Sequence, residues 1–170
     1  MDQVMMAISG RFTWIPLYLL LVILIYWNYK NKTWLIILFA VLAIIISDQV
    51  ANLIKNEVMR LRPSHTPGVM ELLHFYKNSN GNEYMGGLYG FVSNHAANSA
   101  CLATFLSLLF RRMYIAWGLI IWAFLLSYSR VYLGVHYPSD VLCGVILGIL
   151  IGYFIYKGYE FACKRLLSMQ

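Results

Sequence analysis

Five apolar runs account for most of this chain, and each is about as long as a lipid bilayer is thick. They cover residues 12–28, 34–54, 93–110, 114–132 and 138–156, against the roughly 20 residues that a spanning helix needs. A soluble domain of 170 residues has no interior large enough to hide them. Composition points the same way. The chain is 61% hydrophobic and 12% charged, where soluble domains run about 45–50% apolar and about 25% charged. Disordered chains are poor in apolar residues, so disorder is excluded as well. The expected fold class is an all-α integral membrane bundle of about five transmembrane helices, a single domain over residues 1–170. Residues 1–10 are expected to form a short interfacial segment. The first apolar run is too long for a signal-peptide core and has no small-residue cleavage site behind it, so it is expected to be retained.

Between the second and third runs lies the one long polar stretch, residues 63–92. Five of its residues are glycines (68, 81, 86, 87 and 90), which suits an ordered loop with tight turns. A loop of this length is usually functional. Residues 69–76 have the composition of a short helix. Tyr76, Tyr84, Tyr89, Phe75 and Phe91 would suit an aromatic rim at the membrane surface.

The net charge of +6 needs no nucleic acid to explain it. Lys30, Lys32, Arg111, Arg112, Lys157, Lys164 and Arg165, seven of the 13 basic residues, fall at alternate helix ends and so on one side. Basic residues gather on the cytoplasmic side of membrane proteins. The expected location is therefore a membrane crossed several times, with the C-terminus on the cytoplasmic side and the long loop outside. The outer side holds Arg11, Lys55, Arg60, Arg62, Lys77 and Arg130. Cys101, Cys143 and Cys163 lie in or beside apolar runs without a CxxC pair, and suit buried small hydrophobes.

Three outer segments break the apolar pattern. In the first, Lys55 and Arg62 are seven residues apart, two helical turns, and Pro63 turns the chain away. Arg60, between them, suits a lipid-headgroup anchor. The second is Ser93-Asn94-His95, where Ser93 is a good N-cap and the free amides of a helix start favour an anion. The third runs from Ser129-Arg130 to His136 and Asp140. A carboxylate four residues from a histidine can hold one imidazole nitrogen and free the other to attack. Arg130 offers a planar fork for phosphate, a structural Arg130–Asp140 salt bridge being the alternative. Together these segments supply three cations, two histidines, a carboxylate and a helix N-terminus, the equipment of phosphoryl transfer without a metal. Asp48 follows the face of Asn52 and Lys55 inside the second helix, where it suits support within the bundle. His65 and His74, with His95 and His136, lack helical ligand spacing and make a poor metal site. Gly144, Gly148 and Gly152 form a small-residue stripe suited to close helix packing.

The three segments resemble the tripartite signature of the type 2 phosphatidic acid phosphatase superfamily, K-x6-R-P, P-S-G-H and S-R-x5-H-x3-D. The first matches at Lys55, Arg62 and Pro63, and the third at Ser129, Arg130, His136 and Asp140. The second matches at Ser93 and His95, with Val92 for the usual Pro and Asn94 for the usual Gly. The resemblance implies an integral-membrane lipid phosphatase that needs no metal or other cofactor. It implies His136 as the nucleophile, Asp140 as its orienting carboxylate and His95 as the general acid. Lys55, Arg62, Ser93 and Arg130 would hold the phosphate, with Asp48, Asn94 and Ser129 supporting them. The implied partners are a lipid phosphate and the surrounding membrane lipids, with no nucleic acid and no obligate protein partner. Family commonness favours undecaprenyl diphosphate as substrate, with lipid A or phosphatidylglycerophosphate as alternatives. Phosphoryl transfer between lipids, and a non-catalytic lipid-phosphate binder or transporter, are the competing functions.

Overall fold

The computed structural model describes residues 1–10, 12–78 and 80–168. Among these, every element longer than one turn is an α-helix: α1 (Asp2–Ser9), α2 (Ile15–Tyr29), α3 (Thr33–Val58), α4 (Asn94–Phe110), α5 (Met113–Tyr132) and α6 (Pro138–Ser168). Three stretches are long and apolar enough to cross a membrane: Phe12–Val58, Met113–Tyr132 and Pro138–Leu166. The first contains both α2 and α3, reversed by a 3-10 turn at Lys30–Lys32. Exposed Trp27, Trp34, Phe124, Leu142 and Phe154 show that the outer helix faces are apolar, the inverse of a soluble bundle. Helix α6 runs past the fifth apolar run and continues through Lys157 and Lys164. Arg11, counted above among the outer cations, lies outside the described residues.

The bundle is built around α4. Its Ala96, Ala97, Ala100 and Ala103 are buried and small, so neighbouring backbones come close. On α6 the glycine stripe meets this face. A Cβ built at Gly144, Gly148 or Gly152 would lie 2.7, 2.2 or 2.5 Å from the carbonyl oxygens of Ser93, Ala97 and Cys101 respectively. No residue larger than glycine fits at that separation. Lower in the bundle, Phe105, Ile36, Leu106 and Trp122 fill the interior.

One end of the bundle gathers the basic turns. Arg111 Nη2 donates to Tyr156 Oη at 2.9 Å and to Glu160 Oε1 at 3.3 Å, and Tyr29 Oη donates to the Leu109 carbonyl at 2.7 Å. The other end carries the long loop. The Arg62 N–H donates to the Leu88 carbonyl at 3.1 Å, and the Gly90 N–H to the Arg60 carbonyl at 2.9 Å. This short antiparallel bridge, centred on Leu61 and Tyr89, ties the end of the loop to its beginning. The helix expected at 69–76 is a single 3-10 turn, Met70–Leu72. Tyr76 instead accepts from the Tyr84 N–H at 2.9 Å in a small hairpin. The aromatic rim is corrected too: Tyr76 and Tyr84 pack inward on Met5, Leu133 and Val135, and Phe91 on Ala51, Val92 and Ala97. Helix α1 docks on this cluster, where Asp2 accepts from Tyr132 Oη at 2.8 Å and lies 2.9 Å from His74 Nε2.

Candidate active site

The loop end of the bundle brings the three polar segments together. Lys55 comes from the last turn of α3, Arg60 and Arg62 from the segment behind it, Ser93 and His95 from the start of α4, Arg130 from the last turn of α5, and His136 and Asp140 from the turn into α6. A cavity of about 640 Å³ opens among them and is lined by Lys55, Arg62, Asn94, His95 and His136. Arg130 and Ser93 are buried and are not among its lining residues.

His136 is 2% exposed and Asp140 is fully buried. Pro138 starts α6, which puts Asp140 in its first turn, one turn beyond His136. His136 Nδ1 lies 3.5 Å from Asp140 Oδ2. That contact is too loose to count as a closed hydrogen bond, and Nδ1 has no hydrogen-bond partner among the described residues. Asp140 is held by other groups. Oδ1 accepts from Arg60 Nη1 at 3.0 Å, and Oδ2 from the Tyr137 N–H at 3.0 Å. Arg60 also donates to Ser139 Oγ at 2.8 Å and lies 4.2 Å over the Tyr137 ring. It is therefore not a headgroup anchor as expected, and the salt bridge on Asp140 belongs to Arg60 rather than Arg130. Its signal was in the sequence: in an extended segment, alternate residues such as 60 and 62 point the same way. Burial pushes the His136 imidazole down to about 4, the cations Arg62 and Arg130 act in the same sense, and Asp140 opposes them.

Both buried arginines are tied to the protein by part of their donor sets. Arg62 Nε donates to the Tyr89 carbonyl at 3.0 Å and Nη1 to the Val135 carbonyl at 3.3 Å. Burial and the neighbouring Arg130 both lower its pKa. Arg130 Nη1 donates to Ser9 Oγ and, at 3.1 Å, to Tyr84 Oη, while its buried Nε has no partner. Ser9 and Tyr84 lie 121 and 46 positions from Arg130 in sequence, and no spacing rule marks them. Gly90 makes room for the rest: a Cβ there would lie 2.9 Å from Asp140 Oδ2 and 3.1 Å from Arg62 Cγ.

Ser93 occupies the N-cap position of α4, but its hydroxyl makes no cap bond. Its Oγ is buried without a partner, while its N–H donates to the Asp140 carbonyl at 3.0 Å. An uncommitted hydroxyl at a helix start is free to donate to an anion. Asn94, where the family motif has Gly, has its side chain fully engaged. Its Oδ1 accepts from Lys55 Nζ, and its Nδ2 donates to Asp48 Oδ1 at 2.9 Å and Asn52 Oδ1 at 2.8 Å. Asp48 also accepts from Asn98 Nδ2 at 3.1 Å and Asn52 Nδ2 at 3.0 Å. Asp48 is thus linked to Lys55 through Asn94. Asn98, missed in the sequence, repeats on α4 the four-residue spacing of Asp48 and Asn52. Ser129 does not join the site, because its hydroxyl donates to the Leu126 carbonyl at 2.7 Å within α5.

The charge balance calls for an anion. Lys55, Arg60, Arg62 and Arg130 face the two carboxylates Asp48 and Asp140, an excess of two positive charges in a mostly buried site. A phosphate dianion would cancel it. His65 pairs with Ser64 Oγ at 3.1 Å and His74 with Asp2, so neither reaches the cavity. No group of three or more metal-ligating side chains gathers among the described residues.

Known proteins match both sequence and fold. The model of the PAP2 superfamily matches residues 34–162. The chain is 34% identical over 170 residues to the lipid A 4'-phosphatase of Porphyromonas gingivalis, covering 99% of this chain and 70% of that protein. It is 38% identical over 157 residues to the lipid A 4'-phosphatase of Bacteroides thetaiotaomicron, covering 91% and 68%. The crystal structure of Aquifex aeolicus LpxE superposes with a TM-score of 0.65 at 25% identity, covering 92% of this chain and 85% of that one.

Proposed function

The chain belongs to the PAP2 superfamily and is a membrane lipid phosphatase, and from that premise we propose that it removes a phosphate monoester from an acylated sugar lipid of the lipid A type, through a phospho-histidine on His136. The substrate class rests on its two lipid A 4'-phosphatase relatives, each similar along nearly the whole of this chain. It replaces undecaprenyl diphosphate, which family commonness alone favoured.

The observation that carries the mechanism is the buried, neutral His136 beside a site with uncompensated positive charge. With its proton on Nδ1, facing Asp140, the imidazole presents a lone pair on Nε2. Nε2 attacks phosphorus as the bond to the lipid oxygen breaks, and His95 protonates that oxygen so that the lipid leaves as an alcohol. Water then attacks the phospho-histidine, with His95 taking its proton, and the P–N bond breaks to release inorganic phosphate. Lys55, Arg62, Arg130 and the Ser93 hydroxyl hold the phosphate oxygens, whose charge is best stabilised by donors already in place. No metal takes part.

In this reading five helices, α2 to α6, cross the bacterial inner membrane. The seven basic residues and the end of α6 lie in the cytoplasm, and the site opens on the outer face. Phosphate release in EDTA from a 4'-phosphorylated lipid A, with acid-labile label trapped on the protein, tests the mechanism. His136→Ala is expected to lose both signals while still inserting into the membrane. Full turnover by that variant, or activity abolished by EDTA and restored by zinc, would overturn it.

A further inference from the structure

One face of α3 changes chemistry turn by turn along the cavity. Lys55 stands at the phosphate end, followed by Asn52, then Gln49 and Asp48, then Ile45 and Ile44. At 1.5 Å per residue this descent covers about 16 Å towards the bilayer centre, and the amide band begins less than one turn below Lys55. From α4, Asn98 joins the polar level through its hydrogen bond to Asp48, and Leu126 and Tyr18 also line the cavity.

The amide band has unspent hydrogen-bonding capacity. Gln49 is exposed within a membrane helix, lines the cavity and has no hydrogen-bond partner among the described residues. Asn98 Oδ1 is buried without a donor. Asn52 and Asn98 each use one N–H of two, both on Asp48. Deeper down, Trp122 is 5% exposed, and its indole N–H has no acceptor. Support for Lys55 requires Asp48 and Asn94 but not Gln49, nor the unused atoms of Asn98.

A lipid in this cavity must lie with its phosphate at Lys55 and its hydrocarbon at Ile44. A polyprenyl phosphate, whose hydrocarbon starts at the phosphate ester, would lay apolar chain along the amides and leave them unsatisfied, which is costly. An acylated amino sugar puts hydroxyl, ester and amide groups at that depth, between phosphate and tails. We propose that Gln49, Asn52 and Asn98 form a subsite for the sugar and its acyl linkages, making the enzyme selective for phosphorylated acyl-sugar lipids over polyprenyl phosphates. The inference rests on the lipid phosphatase reading and names the part of the substrate next to the scissile bond.

The test compares kcat/KM for a 4'-phosphorylated lipid A and for undecaprenyl phosphate, in wild type, Gln49→Leu and Asn98→Leu. Gln49 is exposed, so its variant is expected to fold, and Asn98→Leu adds a second probe of the same band. The wild type should prefer the acyl-sugar lipid. Gln49→Leu should shift the ratio at least tenfold towards the prenyl substrate, mainly through KM for the sugar lipid. A wild-type preference for undecaprenyl phosphate, or variants that lower both substrates alike or neither, would overturn the subsite. Release from neither substrate by the wild type would instead overturn the acyl-sugar lipid as substrate in the proposed function, and the subsite with it.

Discussion

Arg60 donates to Asp140 Oδ1 at 3.0 Å, so the carboxylate that faces His136 is anchored by a cation from one of the unspecified positions between Lys55 and Arg62 of the first motif segment. The Tyr137 N–H fixes the other oxygen, and the Arg60 guanidinium rests on the Tyr137 ring. Arg60 thus acts through Asp140 on the orientation of His136. Arg60→Ala should lower kcat by about tenfold to a hundredfold, the range expected for displacing a reactive group by a fraction of an ångström to an ångström. KM should change little, because Arg60 does not line the cavity. Arg60→Lys should rescue poorly, since an ammonium has no flat face to rest on the Tyr137 ring while it donates to the carboxylate and to Ser139. Burst kinetics of phospho-enzyme formation would locate the loss in the first step. Normal burst rates in Arg60→Ala would refute the positioning role.

Burial of His136 makes its protonation a stability term. The imidazole titrates near 6.5 in the unfolded chain but is pushed down to about 4 in the fold. Between those values the unfolded state binds the extra proton, so stability falls as pH drops from about 6.5 to about 4. It is fully present above that window. The full difference is on the order of 3 kcal/mol. Thermal unfolding in detergent should therefore show Tm declining across this window, and His136→Gln should flatten the decline. Nuclear magnetic resonance of labelled imidazoles supplies the direct check. An His136 midpoint near 6.5 would mean that burial does not keep the nucleophile neutral.

Gly90 sets the distance between the long loop and the site. A methyl group there would press on Asp140 Oδ2 and Arg62 Cγ at once. Gly90→Ala should therefore reduce kcat/KM by roughly tenfold or more, since small displacements of reacting groups are costly. The same change at Gly87, where a Cβ meets nothing within 4 Å, should be nearly silent. Equal activity of the two variants would show that the loop yields without disturbing the carboxylate.

The parts of the site that are legible in the sequence are those with a spacing. Lys55 to Arg62 and His136 to Asp140 are short intervals, so each pair stays close in space, but the helical spacing expected for the first is corrected: α3 stops at Val58 and Arg62 is extended rather than two helical turns beyond Lys55. The apolar runs reveal α2 to α6 by their length. Contacts made by the long loop and by α1 have no such signal. Ser9 reaches Arg130 across 121 positions, and Tyr84 reaches it across 46. Ser93 shows a different limit. Its place at the helix start is readable, but the choice to leave its hydroxyl unspent depends on the groups around it. Asn94 was visible as a departure from the motif, yet its bonds to Lys55, Asp48 and Asn52 need two helices in register.

The glycine stripe of α6 gives the sharpest test of the fold itself. Gly148 faces the Ala97 carbonyl so closely that a Cβ would lie 2.2 Å from the oxygen and 2.9 Å from the Cys101 nitrogen. Both are backbone atoms of α4 and cannot swing aside as a side-chain tip can. Gly148→Ala must push α4 and α6 apart, and overpacking of this kind costs about 1–3 kcal/mol. Separation would also move Ser93 and Asp140, which are joined by a backbone hydrogen bond of 3.0 Å where the two helices begin. Activity should therefore fall along with Tm. Gly118, on α5, has nothing within 4 Å of its would-be Cβ. Replacing a helix-interior glycine with alanine there should be neutral or stabilise by about 0.5–1 kcal/mol. Thermal unfolding of the two variants in the same detergent makes the comparison, and a Gly148→Ala protein as stable as Gly118→Ala would contradict the close α4–α6 packing.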